Sequence, residues 1–195
     1  MRSDQDIVVS LLFKLTTDQK VDLIVEIENT QFVQIDHRTV VKNSLKIWID
    51  EIINKEWEAP EHILWSAIRR YGSLVHEDDV NSFLPILQAD TSIQTKQTVF
   101  QSIQSIYERR PPKNVEILIP LAEEIEYLLY EYIKDDRVEN VAFGIAAANA
   151  FLALVVMNIN NLQQVSIDFC DVSTESSIAF VDKKLKEIEH SRGQS

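Results

Sequence analysis

Residues 83–106, FLPILQADTSIQTKQTVFQSIQSI, are followed 45 positions later by a stretch of similar pattern, residues 128–151, LLYEYIKDDRVENVAFGIAAANAF. Each stretch begins with a short apolar segment and has an aspartate seven residues in, Asp90 or Asp135. A longer segment with apolar residues at matching positions follows in both. This pattern predicts a helix, a tight acidic turn and a second helix, read twice. The spacing lies in the range of about 40–47 residues that is typical of helical-hairpin arrays.

The composition favours helices along the whole chain. Three glycines and five prolines in 195 residues are few for a sandwich, a barrel or a doubly wound sheet, which need many special turns. We therefore predict one all-α domain over residues 1–195, a right-handed stack of antiparallel helical hairpins with eight or nine helices. Residues 191–195 are expected to form a disordered tail. The alternating residues 165–169 fit either a short strand or an extended strap.

Several helix boundaries are predicted from capping chemistry. Thr16 or Thr17 is expected to cap a helix that runs to about residue 28, and another helix is expected over residues 39–55. Gly72 is a predicted stop for a helix that begins near residue 60. Pro85 is expected to kink or restart a helix, and Thr91 or Ser92 to cap the next one.

Two segments resemble HEAT-like, armadillo-type repeats. They are residues 84–90, LPILQAD, and residues 119–135, which begin with IPL and end at Asp135. In that family a first helix containing Leu-Pro ends at an Asp turn and an Ala-rich second helix follows, so the match covers about residues 83–157. The family's Val-Arg pair is absent, because Glu139 follows Val138. The resemblance implies a scaffold or binding module without catalytic residues.

The charge of the chain narrows the classes of partner. A net charge of −12, from 31 acids and 19 bases, disfavours nucleic acids and anionic membrane surfaces, since both attract cationic side chains. The first residues lack the apolar core of a secretory signal. The most apolar run, residues 142–157, is shorter than the roughly 20 residues that span a membrane. We expect a cytoplasmic protein with no nucleic-acid or membrane partner.

The sequence contains no pattern that predicts catalysis. Cys170 is the single cysteine, and it lies near two aspartates that disfavour a reactive thiolate. Glu187 and His190 have the spacing of a di-metal carboxylate site, but no second pair of this kind exists. No glycine-rich phosphate loop is present. We predict no catalytic residue, no metal and no cofactor. The other histidines, which form no metal-binding motif, are His37, His62 and His76.

The most acidic segment is the best candidate for a partner site. Residues 116–139 hold eight acids and two bases, which is a net charge of −6 and half of the chain's total. Tyr127, Tyr130 and Glu131 can share a helix face by their spacing. The predicted partner-binding residues are Glu123, Glu124, Tyr127, Tyr130, Glu131 and Asp135. Solvated surface for the acids and core packing for the tyrosines are the alternatives.

Two other features leave alternatives open. The helix from Thr91 to Ser105 has Lys96 as its only charge and several glutamines, which fits either a subunit contact or a dry interior position. The pairs Arg69–Arg70 and Arg109–Arg110 have two possible roles. They can complement the dipole at the C-terminal end of a helix, or they can line an edge that binds an anionic ligand.

Three functions are consistent with these features. The first is a non-catalytic protein-interaction module, a scaffold or adaptor, that binds a partner protein, with a basic protein as one option. The second is an acidic immunity- or inhibitor-type protein that neutralises a basic toxin or enzyme. The third is a structural homo-oligomer that assembles through the helix from Thr91 to Ser105. An enzyme is the least favoured class.

Overall fold

The computed structural model describes residues 4–30, 35–109 and 119–132, and every regular element in these ranges is helical. The prediction of an all-α chain is confirmed for these ranges. The second helix of the second copy, the strand or strap at 165–169 and the tail at 191–195 lie outside the described residues. The elements in the described ranges are α1 (Asp4–Leu11), α2 (Thr17–Asn29), α3 (Ile35–Ile53), α4 (Glu61–Leu74), a 3-10 helix (Glu77–Phe83), α5 (Leu84–Gln88), α6 (Ile93–Arg109) and α7 (Ile119–Tyr132).

Helix α4 is at the centre of the packing, because it contacts α2, α3 and α6. It buries Ile63, Leu64 and Ala67 together with Ile68 and Tyr71, which is the inner face that the periodicity indicates. The Tyr71 ring meets the Phe83 ring edge-on at 5.4 Å between centroids. These contacts join α4 to the 3-10 helix that follows it.

The predicted stop at Gly72 is wrong. Helix α4 continues through Gly72 to Leu74, and Gly72 is buried. A Cβ atom at this position would lie 2.7 Å from the Cβ atom of Ser102 on α6. Gly72 is therefore required by the close approach of two helices and not by a turn.

The start of α2 and the end of α3 are formed by two different kinds of helix cap. Thr16, one of the two predicted caps, caps α2 through a capping box with Gln19. Helix α3 begins at Ile35, earlier than predicted, and ends at Ile53. The backbone N–H groups of Lys55 and Glu56 donate to the carbonyl oxygens of Ile52 and Glu51, and Lys55 has φ 59°. This is a Schellman ending with lysine at the position that usually holds glycine.

The first copy of the repeated stretch forms the predicted helix, turn and helix. Pro85 lies in the first turn of α5, where it restarts the helical path after the 3-10 helix. The Ser92 hydroxyl accepts a hydrogen bond of 3.1 Å from the backbone N–H of Thr95 and thereby caps α6. Asp90 lies in the turn between α5 and α6, and it is exposed.

Candidate functional site

Helix α7 carries most of the predicted partner-binding residues, and one side of it is fixed to the body of the protein. It packs against α5 and the 3-10 helix. Leu121, Ile125 and Leu128 are buried, and their spacing of four and three residues places them on one face. Pro120 lies at the start of the helix, where its missing N–H group is tolerated. The apolar stripe therefore holds one face of α7 against the body of the protein.

Glu123 and Tyr127 lie on the accessible side of α7. Both side chains are exposed, and the large aromatic side chain of Tyr127 is 58% exposed. They are four residues apart, so they are neighbours on the helix surface. An aromatic ring beside a carboxylate offers a cation both a π-face and a negative charge. The alternative of core packing does not hold for Tyr127, because its side chain is exposed, while its neighbour Leu128 is buried on the inner face.

Glu124 differs from Glu123 although the two are adjacent in sequence. It is half-buried, and its Oε2 atom accepts a hydrogen bond of 3.2 Å from Nε2 of Gln88 on α5. Burial lowers the pKa of Lys96, and the negative charges of Glu124 and Asp90 oppose that shift. Glu124 thus takes part in the junction between α7 and the α5–α6 hairpin.

The remaining predicted site residues are not placed by the structure. Tyr130 and Glu131 belong to α7, but their side chains are outside the described part of the chain. Asp135 lies beyond residue 132 and is outside the described residues. Within the described residues the predicted site consists of the exposed pair Glu123 and Tyr127, with Glu124 at its inner edge.

The glutamine-rich helix α6 has an interior position. It packs against α4, α5 and the 3-10 helix, and Thr95, Thr98 and Ser102 on its polar side are buried. Gln101 and Ser105 are its exposed side chains among residues 93–107. The arrangement favours the alternative of an interior helix and leaves little of the described part of α6 for a subunit contact.

Arg69 and Arg70 join two helices. Nη2 of Arg69 donates to Oε1 of Glu28 at 2.8 Å, and Nη2 of Arg70 donates to the carbonyl oxygen of Thr30 at 2.6 Å. Thr30 is the C-cap residue of α2, so Arg70 satisfies a backbone acceptor at the end of that helix. The dipole that these cations complement is that of α2 and not that of α4. The other predicted pair is Arg109 and Arg110. The side chain of Arg109 is not described, and Arg110 lies outside the described residues.

A cavity of about 410 Å³ lies beside the segment that joins α4 to the 3-10 helix. No sequence pattern indicated it, because its residues come from α3, the end of α4, the 3-10 helix and α6. The His76 ring contacts two neighbouring carboxylates, with Nε2 3.4 Å from Oε1 of Glu77 and Nδ1 3.4 Å from Oδ2 of Asp78. The lining residues are Arg38, Ser73, Leu74, Val75, His76, Glu77 and Ile106.

Residues 4–30, 35–109 and 119–132 contain no group of three or more histidine, cysteine, aspartate or glutamate residues that could hold a metal ion. In the same part of the chain no helix has both the length and the apolar character to cross a bilayer.

Comparison of this chain with protein-family models, with curated proteins and with solved structures gives no match.

Proposed function

We propose that this chain is a non-catalytic protein-binding module that holds a basic partner protein on the outer face of α7. The single observation that carries the proposal is the exposure of Tyr127, at 58%, beside the exposed carboxylate of Glu123. Exposed aromatic residues are frequent anchors in protein interfaces, because they bury a large area at a small cost in conformational entropy.

The charge of the chain supports a basic partner. The segment around α7 carries half of the net charge of −12, so an approaching cationic surface is attracted before contact. After contact, an arginine or lysine of the partner can lie over the Tyr127 ring, which contributes about 0.5–1 kcal/mol at an exposed site and about 2 kcal/mol when desolvated. Burial of Leu121, Ile125 and Leu128 supports the proposal as well, because it keeps the binding face preorganised.

The proposed scaffold is a stack of helical hairpins similar to HEAT-like repeats. Several helices pack against the helix two further along the chain, namely α1 on α3, α2 on α4, α4 on α6 and α5 on α7, whereas α3 packs on its neighbour α4. Such contacts are expected when consecutive hairpins stack side by side. In this arrangement α7 is the first helix of the next hairpin, so its outer face belongs to the surface of the stack.

A capture experiment with paired variants tests the function. The chain is cross-linked to its partners in cells and then purified with them, and the Glu123→Lys, Tyr127→Ala double variant is compared with the unchanged protein. The matched control is Glu58→Lys with Phe13→Ala, which alters one exposed acid and one exposed aromatic residue in the segments that follow α3 and α1. We expect the α7 variant to lose a partner that the control retains, with equal melting temperatures. Retention of every partner by the α7 variant would refute the site.

The strength of the contact should also depend on salt. Exposed charges separated by more than about 8 Å are screened at physiological ionic strength, so a charge-steered partner should associate more slowly as salt rises. If the partner is an enzyme or a toxin, its activity in the presence of the unchanged chain and of the α7 variant separates an inhibitor from an adaptor. An inhibitor lowers that activity, and the α7 variant does not.

A further inference from the structure

The cavity beside the 3-10 helix combines opposite charges with an apolar wall. Its volume of about 410 Å³ lies within the range of roughly 300–1,000 Å³ that is usual for sites of small ligands. The apolar side chains that line it include Val75 and Ile106, which are buried. Arg38 and His76 are exposed at the same cavity, whereas Glu77 is only 7% exposed.

The cationic side of the cavity has an arginine available for a ligand. Arg38 forms no salt bridge with any side chain that the structure describes, although the chain is rich in acids. A second guanidinium is nearby, because burial and the charge of Arg38 lower the pKa of Arg70, while Glu28 opposes the shift. An anionic group at Arg38 would relieve this repulsion, and a guanidinium binds a carboxylate through two parallel hydrogen bonds.

The anionic side restricts what that ligand can be. Glu77 lines the same cavity, and its carboxylate pairs with the His76 ring at 3.4 Å. A simple anion at Arg38 would be repelled by this buried carboxylate, since Coulomb forces are stronger where water is excluded. A ligand that also carries a positive group would be attracted by both residues.

We propose that this cavity binds a free α-amino acid with an apolar side chain. Arg38 binds the carboxylate of the amino acid, and Glu77 binds its ammonium group. Leu74, Val75 and Ile106 contact the side chain, because they supply the apolar part of the lining. The proposal is independent of the protein-binding face on α7.

Ligand analogues test the two charged contacts separately. The melting temperature of the chain is measured with L-leucine, L-valine, L-methionine and L-phenylalanine, each at constant ionic strength. At a concentration about 100 times Kd, the amino acid that fits should raise the melting temperature by roughly 5–10 °C. N-acetyl-L-leucine lacks the ammonium group and L-leucinamide lacks the carboxylate, so both should give a much smaller shift. If no amino acid of the set shifts the transition, the proposal is wrong.

Three variants test whether the rise in melting temperature comes from binding in this cavity. Arg38→Gln and Glu77→Gln should each weaken binding about tenfold or more, because each removes a charge-assisted contact. Lys42→Gln is the matched control: Lys42 lies one turn further along α3, pairs with Asp79 at 3.4 Å and does not line the cavity. Glu77→Gln should also bind N-acetyl-L-leucine as well as it binds leucine. Equal affinities of the Arg38→Gln and Lys42→Gln variants would overturn the assignment.

Discussion

Gly72 provides the most direct test of how the centre of this protein is packed, and the perturbation is Gly72→Ala. A Cβ atom at this position would lie 2.7 Å from the Cβ atom and 3.0 Å from the Oγ atom of Ser102. Carbon atoms in contact are normally about 3.5–4.0 Å apart. The Cβ atom of Ser102 is attached to the backbone and cannot rotate away, so α4 and α6 must separate by up to about 1 Å.

The magnitude follows from two opposing effects. Overpacking of a well-packed core typically costs about 1–3 kcal/mol, and the upper end applies here because both atoms are held by buried helices. Alanine in the middle of a helix is favoured over glycine by about 1 kcal/mol. We therefore expect Gly72→Ala to lower the free energy of unfolding by about 2 kcal/mol. For a chain of this size that corresponds to a decrease in Tm of roughly 4–8 °C.

The assay is urea unfolding followed by circular dichroism, with Gly72→Ala also made in two Ser102 backgrounds. In the Ser102→Gly background the clashing Cβ atom is gone, so Gly72→Ala should stabilise the protein by about 1 kcal/mol. In the Ser102→Ala background the Cβ atom remains and the loss should persist. The resulting coupling energy of about 3 kcal/mol would be large for one pair. The reasoning fails if Gly72→Ala stabilises the unchanged protein, or if its effect is the same in both backgrounds.

Four smaller changes test other parts of the fold by the same unfolding measurement. Lys55→Gly should stabilise the protein by about 1 kcal/mol, because φ 59° is costly for a residue with a Cβ atom, and Lys55→Ala should not. Tyr107→Phe should raise the free energy of unfolding by about 1 kcal/mol, because the Tyr107 hydroxyl is buried without a hydrogen-bond partner in the described part of the chain. A lower free energy of unfolding would instead show that the hydroxyl has a partner. Thr16→Ala should cost about 1 kcal/mol by removing the cap of α2, whereas Thr16→Ser should retain it. Burial alone would raise the pKa of Glu28, but Ser66, Arg69 and Arg70 lower it below the ordinary value of 4.5. The ionised Glu28 side chain therefore stabilises the folded protein above pH 4.5, and this stabilisation is lost as the pH falls through the folded-state pKa. Glu28→Gln should therefore be less stable than the unchanged protein at neutral pH and equal to it at the acid end.

Features that depend on neighbouring residues could be predicted from the sequence. The stripe of Val41, Leu45 and Trp48 on α3 is buried as its spacing indicates. The cap at Thr16 and the restart at Pro85 depend on residues within one turn, so local chemistry determines them. The Gly72 prediction was wrong because a glycine near a helix end usually terminates the helix, while the reason for this glycine lies on another helix, 30 residues further along the chain at Ser102.

The candidate cavity could not be predicted, since its chemistry depends on which helices meet. Arg38 lies at the beginning of α3, Glu77 at the beginning of the 3-10 helix and Ile106 in the second half of α6. None of these positions forms a motif with its sequence neighbours. Only the packing of α4 between α3 and α6 brings such distant segments to one cavity.

The acidic segment shows why net charge alone does not define a binding face. Glu123 and Glu124 contribute equally to the charge, yet Glu123 is exposed and Glu124 is engaged by Gln88 within the protein. A charge that is already hydrogen-bonded inside the fold has less to offer a partner, because forming the complex would break or desolvate that contact. The selectivity of α7 should thus come from Tyr127 and Glu123, whose orientation is fixed by the buried stripe behind them. A partner chosen only by the overall negative charge would not distinguish the α7 variant from the Glu58 and Phe13 control, so that comparison decides between a defined site and a general electrostatic attraction.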